Sequence, residues 1–306
     1  MDFRGQDILS TDQFDKATLR NLFEEATRME DVLKKGHSDL LKGKVLATLF
    51  FEPSTRTRFS FETAMLRLGG RVISNADMLK TSSSKKQETL FDTGKVVSQM
   101  ADAIAMRHPE AGSVAKFAEG SDVPVLNAGD GAGSHPTQGL LDLYTIWKEK
   151  GTLDGLTIGI IGDLKYGRVP HSQCGFLKHF DVNFVFVSPE ALKMPRKIVD
   201  DLMSQGRSII EVDSLADHIG EMDVISMTRI QEERFESKSE YKKYAGSYVL
   251  DKNLMNKAKE DSIIIHPLPR VDEISTEVDE DPRAKYFEQV KNGVALRMAL
   301  LSLVLS

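Results

Sequence analysis

Leu19, Leu22, Phe23, Ala26, Met29 and Leu33 recur at helical spacing, and Gly36 follows where a helix would stop. The first long element is therefore predicted to be an amphipathic helix. The pattern changes at residues 45–51, VLATLFF, a nearly continuous apolar run of strand length. Such a run fits a parallel strand covered on both faces. Pro53 and Ser54 then mark a helix start, and Gly69-Gly70 its end. Further short apolar runs at 103–106 and 123–126 alternate with helical stretches, the pattern of an open α/β sheet.

Leu140, Leu141, Leu143, Tyr144 and Trp147 predict a connecting helix over 135–150, closed by the polar stretch 148–151. The alternation then repeats, with strands expected at 156–161, 183–187, 223–227 and 262–265. The fold class is α/β: two domains, each an open, mostly parallel sheet flanked by helices, the second Rossmann-like. The expected boundaries are 1–134 for the first domain and 151–289 for the second. The apolar stretch 290–306 is read as a terminal helix joined to the first domain.

A chain of 306 residues, 41% hydrophobic and 28% charged, is long enough for two such cores. A net charge of -6 and a pI near 5.7 argue against a general nucleic-acid or membrane-surface binder, so anion binding must be local. The single cysteine, Cys174, allows no intrachain disulfide and is read as a buried small hydrophobe. The acidic N-terminal stretch lacks the basic-then-apolar pattern of a signal peptide, and no apolar run reaches bilayer length. The expected location is the cytoplasm.

The local anion site is sought at 52–58, EPSTRTR, between a buried strand and a helix. Backbone N–H groups at a helix start are available at the positive end of the helix dipole. Three hydroxyls and two guanidiniums add donors, and the planar guanidinium fork matches phosphate. The stretch 51–62, FEPSTRTRFSFE, resembles the carbamoyl-phosphate signature of the aspartate and ornithine carbamoyltransferases. Other stretches similar to that family follow in order: Met106-Arg107-His108-Pro109; 127–138, NAGDGAGSHPTQ; 162–172, GDLKYGRVPHS; 227–232, MTRIQE; and 266–270, HPLPR.

The resemblance implies a role for each matching residue. Ser54, Thr55, Arg56 and Thr57 would bind the phosphate of carbamoyl phosphate, with Arg56 also stabilising charge on the leaving oxygen. Arg107, His135 and Thr57 would polarise the carbamoyl oxygen, and Gln138 would orient the NH2 group. Arg168, Arg229 and Gln231 would hold the carboxylates of L-aspartate, with the backbone carbonyl of Leu268 facing its amine. The run 82–88, SSSKKQE, is similar to a loop that reaches the neighbouring subunit's site, which assigns Ser82 to carbamoyl phosphate and Lys86 to aspartate and catalysis. A homotrimer with shared sites is implied, with room for a separate regulatory chain, and neither metal nor cofactor is called for.

The family's pattern after the arginine is Thr-Val-His-Ser, whereas this chain has Val169-Pro170-His171-Ser172, so one hydroxyl is missing there. Aspartate is preferred over ornithine because the chain has Pro267 in place of the cysteine of HCLP, lacks SMG, and offers two arginines to a dicarboxylate. A carbamoyltransferase for another amino acid such as ornithine is the alternative. A dinucleotide-binding reading of 159–163, GIIGD, is the rival from another class, weakened because Tyr166 and Arg168 occupy its turn. The polar segment 232–243 is read either as a mobile loop closing the site or as a solvated surface helix.

Overall fold

A computed structural model describes residues 3–81, 88–131, 133–231, 235 and 237–306. The chain falls into two compact units, Met1–Leu141 with Val290–Ser306, and Asp142–Gln289.

The first unit opens on α1 (Lys16–Lys35), capped by Asp15, whose carboxylate accepts from Thr18 N at 2.7 Å. Lys34 and Lys35 face its negative end, and Gly36 at φ +103° terminates it. There follow β1 (Val45–Phe50), α2 (Thr55–Arg67), β2 (Arg71–Asn75), α3 (Met78–Thr81), α4 (Leu90–Val97), β3 (Ala103–His108), α5 (Ser113–Ala118), β4 (Val125–Asp130) and α6 (Pro136–Lys150). The four strands pair in parallel in the order β2-β1-β3-β4. Ala47, Leu49, Ile104 and Met106 pack with Val114 and Phe117 of α5 on one face of that sheet.

The second unit contains β5 (Thr157–Ile161), α7 (Arg168–Leu177), β6 (Asn183–Val187), α8 (Arg196–Ser204), β7 (Ser208–Val212), α9 (Leu215–His218), β8 (Val224–Met227), α10 (Lys238–Tyr241), α11 (Lys252–Met255) and β9 (Ile263–Ile265). Its sheet is also parallel, in the order β7-β6-β5-β8-β9. The last helix, α12 (Tyr286–Leu305), begins four residues before the apolar run that predicts it. Of the polar segment 232–243, the described part forms the short α10, and residues 232–234 and 236 lie outside the described residues.

Both sheets reverse their strand order once. The chain lays β2 on one side of β1 and then β3 on the other; likewise β6 and β7 lie to one side of β5 and β8 to the other. In open parallel sheets, ligands bind beyond the carboxyl ends of the two strands at that reversal. The geometry therefore points to the ends of β1 and β3 in one unit, and of β5 and β8 in the other.

Gly162, just beyond β5, has φ +122°, and a Cβ there would stand 2.2 Å from Thr228 O. The glycine is required by close passage of the β5 and β8 ends. That accounts for Gly162 by packing and leaves the dinucleotide reading without its motif.

Cys174 on α7 is 1% exposed, and burial pushes its thiol well above the ordinary range. The thiolate needed for alkylation is thus withheld. A thiol reagent at pH 8 should label the native protein negligibly and label it stoichiometrically in denaturant; rapid native labelling would contradict this burial.

Candidate functional site

In the first unit the chain leaves β1 through Phe51, Glu52 and Pro53 into α2, with Ser54 as N-cap. Ser54 is extended at φ -159° and ψ 95° and makes no side-chain cap bond, so its hydroxyl is not committed to the helix. Thr55 and Arg56 in the first turn are exposed, whereas Thr57 is buried. Arg58 serves structure: it lies 3.7 Å from Glu62 and donates to Ser74 Oγ at 3.2 Å.

β3 runs alongside β1 with Arg107 opposite Phe50. Phe51 N donates to Arg107 O at 2.8 Å, and the Nε and Nη2 of Arg107 each lie 3.1 Å from Glu52 Oε2. The guanidinium is therefore fixed at the strand-order reversal, beside the start of α2. Glu52 went unassigned in the sequence, although a carboxylate inside a stretch expected to bind an anion is itself a signal that a cation must be held. His108, the next residue, is turned to structural use: its Nδ1 accepts from Glu110 N at 3.0 Å, and burial holds its pKa below the ordinary value.

β4 ends beside β3, and the chain returns through Gly133 and Ser134 to His135 and α6. His135 is 4% exposed and its carbonyl accepts from Gln138 N and Gly139 N at 3.0 and 3.1 Å, which places it at the head of α6. Thr137 Oγ1 donates to Asn127 O at 3.3 Å, tying that turn to β4. Gln138 is buried in the same turn. Ser54 to Thr57, Arg107, His135 and Gln138 thus arise from the carboxyl ends of the adjacent strands β1, β3 and β4.

In the second unit Arg168 is the first residue of α7, in the loop that follows β5. Its carbonyl accepts from Ser172 Oγ at 2.9 Å, and His171 Nε2 lies 2.8 Å from Leu164 O, so the turn is held from within the helix. Pro170 sits in the first turn, where no amide donor is needed. Arg229 and Gln231 follow β8, and both are half-buried. Thr228 anchors that exit, its Oγ1 donating to Ile161 O at 3.0 Å. His266 to Arg270 follow β9, with Leu268 in the left-handed region at φ 53°. Arg270 is occupied by Asp279 and by Tyr286, its guanidinium 5.4 Å from that ring's centroid.

The structure thus gathers the expected residues at the carboxyl ends of parallel strands in each unit. Ser82 and Lys86 lie outside the described residues. A set of hydroxyls and helix amides in the first unit, with the exposed Arg56 and the fixed Arg107, suits a phosphate with an adjoining carbonyl. Arg168 and Arg229 of the second unit suit carboxylates.

Residues 6–148 match the family model for the aspartate/ornithine carbamoyltransferase carbamoyl-P binding domain, and residues 154–304 match that for the Asp/Orn binding domain. The aspartate carbamoyltransferase catalytic subunit of Thermococcus kodakarensis is 51% identical over 306 residues, spanning 100% of this chain and 98% of the relative. Among solved structures, aspartate transcarbamoylase from Trypanosoma cruzi in complex with carbamoyl phosphate and aspartate superposes with a TM-score of 0.94 at 40% identity, covering 99% of this chain and 98% of that one. The catalytic subunit of M. Jannaschii aspartate transcarbamoylase gives 0.90 at 47% identity, with 97% of each chain covered.

Proposed function

The chain belongs to the aspartate/ornithine carbamoyltransferase family, and from that premise we propose that it transfers the carbamoyl group of carbamoyl phosphate to the amino group of L-aspartate. The products are N-carbamoyl-L-aspartate and phosphate, the former a step in de novo pyrimidine biosynthesis. The observation that carries aspartate over ornithine is the placement of Arg168 and Arg229 beyond the ends of the adjacent strands β5 and β8, with Pro267 in the loop after β9. An ornithine site needs an acceptor for an ammonium group, whereas these residues offer cations.

In this reading Ser54, Thr55, Arg56 and Thr57 bind the phosphate, assisted by the amides at the head of α2. The neutral amine of aspartate attacks the carbonyl carbon, a tetrahedral intermediate forms, and the bond from carbon to the phosphate oxygen breaks. The proton released by nitrogen passes to the departing phosphate. Arg107, His135 and Thr57 donate to the oxygen that becomes an oxyanion, and the fixed position of Arg107 on Glu52 supports that role because preorganised donors stabilise developing charge most. Gln138 orients the carbamoyl NH2. Arg168, Arg229 and Gln231 take the carboxylates of aspartate, and Leu268 O faces its amine.

We place this activity in a cytoplasmic homotrimer in which Ser82 reaches the neighbouring subunit's carbamoyl phosphate and Lys86 its aspartate. The first unit presents large apolar side chains to solvent in the isolated chain, among them Phe59, Leu66, Phe91, Val96 and Met100. A surface of that kind supports burial against a second subunit. No helix among the described residues is long and apolar enough to cross a membrane.

A substrate panel tests the assignment. With carbamoyl phosphate present, purified protein should release phosphate with L-aspartate and not with L-ornithine. Turnover with ornithine alone would overturn the reading of Arg168, Arg229 and Pro267.

A further inference from the structure

We propose that His266 is a positioning residue: as the neutral Nε2–H tautomer held by Glu273, it fixes the backbone of Leu268 in its aspartate-facing conformation. The inference rests on the reading of Leu268 O as an aspartate contact, and adds what holds it there.

Leu268 has φ 53°, a region that a leucine rarely adopts and keeps only when its surroundings hold it. The hold is explicit. Leu268 N donates to His266 Nδ1 at 2.8 Å, so that ring nitrogen must be an acceptor without a proton. The proton of a neutral imidazole is then on Nε2, which lies 2.7 Å from Glu273 Oε1. The other oxygen of Glu273 accepts from Val271 N and Asp272 N at 3.0 and 3.1 Å, so one carboxylate clamps the far side of the loop and selects the tautomer on the near side. Burial pushes the Glu273 carboxyl up, but the bonds from His266 and the backbone amides outweigh it and leave it below its ordinary pKa. The side chains of His266 and Glu273 are 1% and 6% exposed, which shields the pair from exchange with water.

The backbone of the pair is seated by a second chain of bonds within the same unit. His266 N donates to Gln289 Oε1 at 3.0 Å, and Gln289 Nε2 donates to Asp142 Oδ1 at 2.6 Å. Asp142 Oδ2 accepts from Gln173 Nε2 at 2.7 Å, and Gln173 Oε1 accepts from Ser226 Oγ at 3.1 Å. Because a carboxylate only accepts, it orients both glutamines and leaves an amide oxygen facing His266 N. The network thus ties the loop after β9 to α6, α7, β8 and α12, which makes the loop's backbone a fixed part of the scaffold.

Three variants and one spectrum test this. In wild-type protein labelled with ¹⁵N-histidine, the His266 ring, identified by its disappearance in His266→Asn, should report Nε2–H with an unprotonated Nδ1. In Glu273→Gln, the amide oxygen can stay on Val271 N and Asp272 N while its NH2 group faces the ring, which drives the proton to Nδ1 against Leu268 N–H. That variant should show the reversed tautomer and a rise of about tenfold or more in KM for aspartate, with the Kd of carbamoyl phosphate within about twofold. His266→Leu, which has no acceptor, should show the same rise, whereas His266→Asn, whose Oδ1 can occupy the place of Nδ1, should recover most of it.

Equal aspartate KM values for the Asn and Leu variants, or Nδ1–H or imidazolium in the wild type, would overturn the proposal. If Glu273→Gln does not fold, the wild-type spectrum and the Asn and Leu pair still decide. Failure of the wild-type protein to use aspartate would instead count against the proposed function, and the spectrum is independent of that outcome.

Discussion

Arg56→Ala is expected to lower kcat by about a thousandfold, since in the proposed mechanism it removes a donor that both holds the phosphate and meets charge on the leaving oxygen. Arg56 stands in the first turn of α2, exposed, so its truncation should leave the fold and melting temperature intact. Initial rates at saturating aspartate measure the loss, and activity within tenfold of wild type would remove Arg56 from the leaving-group role. Lys86→Ala should be similarly impaired if Lys86 serves the neighbouring subunit's aspartate. The two inactive proteins, dissociated together and reassembled in equal amounts, should then regain activity. In a closed ring of three, every mixed trimer contains one interface at which an intact Arg56 meets an intact Lys86, so random mixing restores about a quarter of the sites. A mixture no more active than its components would show that each chain completes its own site.

Arg229→Met is expected to raise the KM for aspartate by about a hundredfold to a thousandfold, because truncating one member of a charge pair costs about 2–5 kcal/mol. Arg168→Met should act on the same substrate, and carbamoyl phosphate should bind either variant with a Kd close to wild type by calorimetry. Arg229→Lys should recover only part of the loss, since an ammonium cannot reproduce the planar fork that grips a carboxylate. Equal weakening of both substrates would indicate a general disturbance of the loop after β8, and would remove Arg229 from the aspartate contacts.

The buried centre of each sheet was legible in the sequence. β1, β5 and β6 are short apolar runs because both faces of a central parallel strand are covered, and such runs stand out against their flanks. Of the edge strands, the buried β9 was legible, whereas β2 and β7 were not. β2, RVISN, and β7, SIIEV, are largely exposed and carry no apolar run to mark them, so neither was predicted. β4 was placed two residues early and ended four residues early, because its carboxyl end, Asn127 to Asp130, consists of small and polar residues that read as loop. Of the proposed site, the residues assigned to substrate were picked out by donor density and by resemblance to the family's stretches, whereas neither signal pointed to Glu52 or Glu273. Glu52 holds Arg107, a pairing that exists only once β1 and β3 lie side by side, and Glu273 holds His266 across the irregular loop after β9, where no periodicity announces the contact.

The first unit is discontinuous in the chain, taking Val290–Ser306 as well as Met1–Leu141. Gly5 N donates to Val304 O at 2.9 Å, and the buried Arg297 lies 5.0 Å over the Phe61 ring, so the segment 290–306 reaches both residue 5 and α2. Domains generally complete themselves in the order of synthesis on the ribosome. Here that order is reversed: the second unit has all of its residues while the first still waits for its final helix. A nascent chain therefore carries an unfinished first unit until residues 290–306 have emerged, and the helix that holds them is the one that completes it.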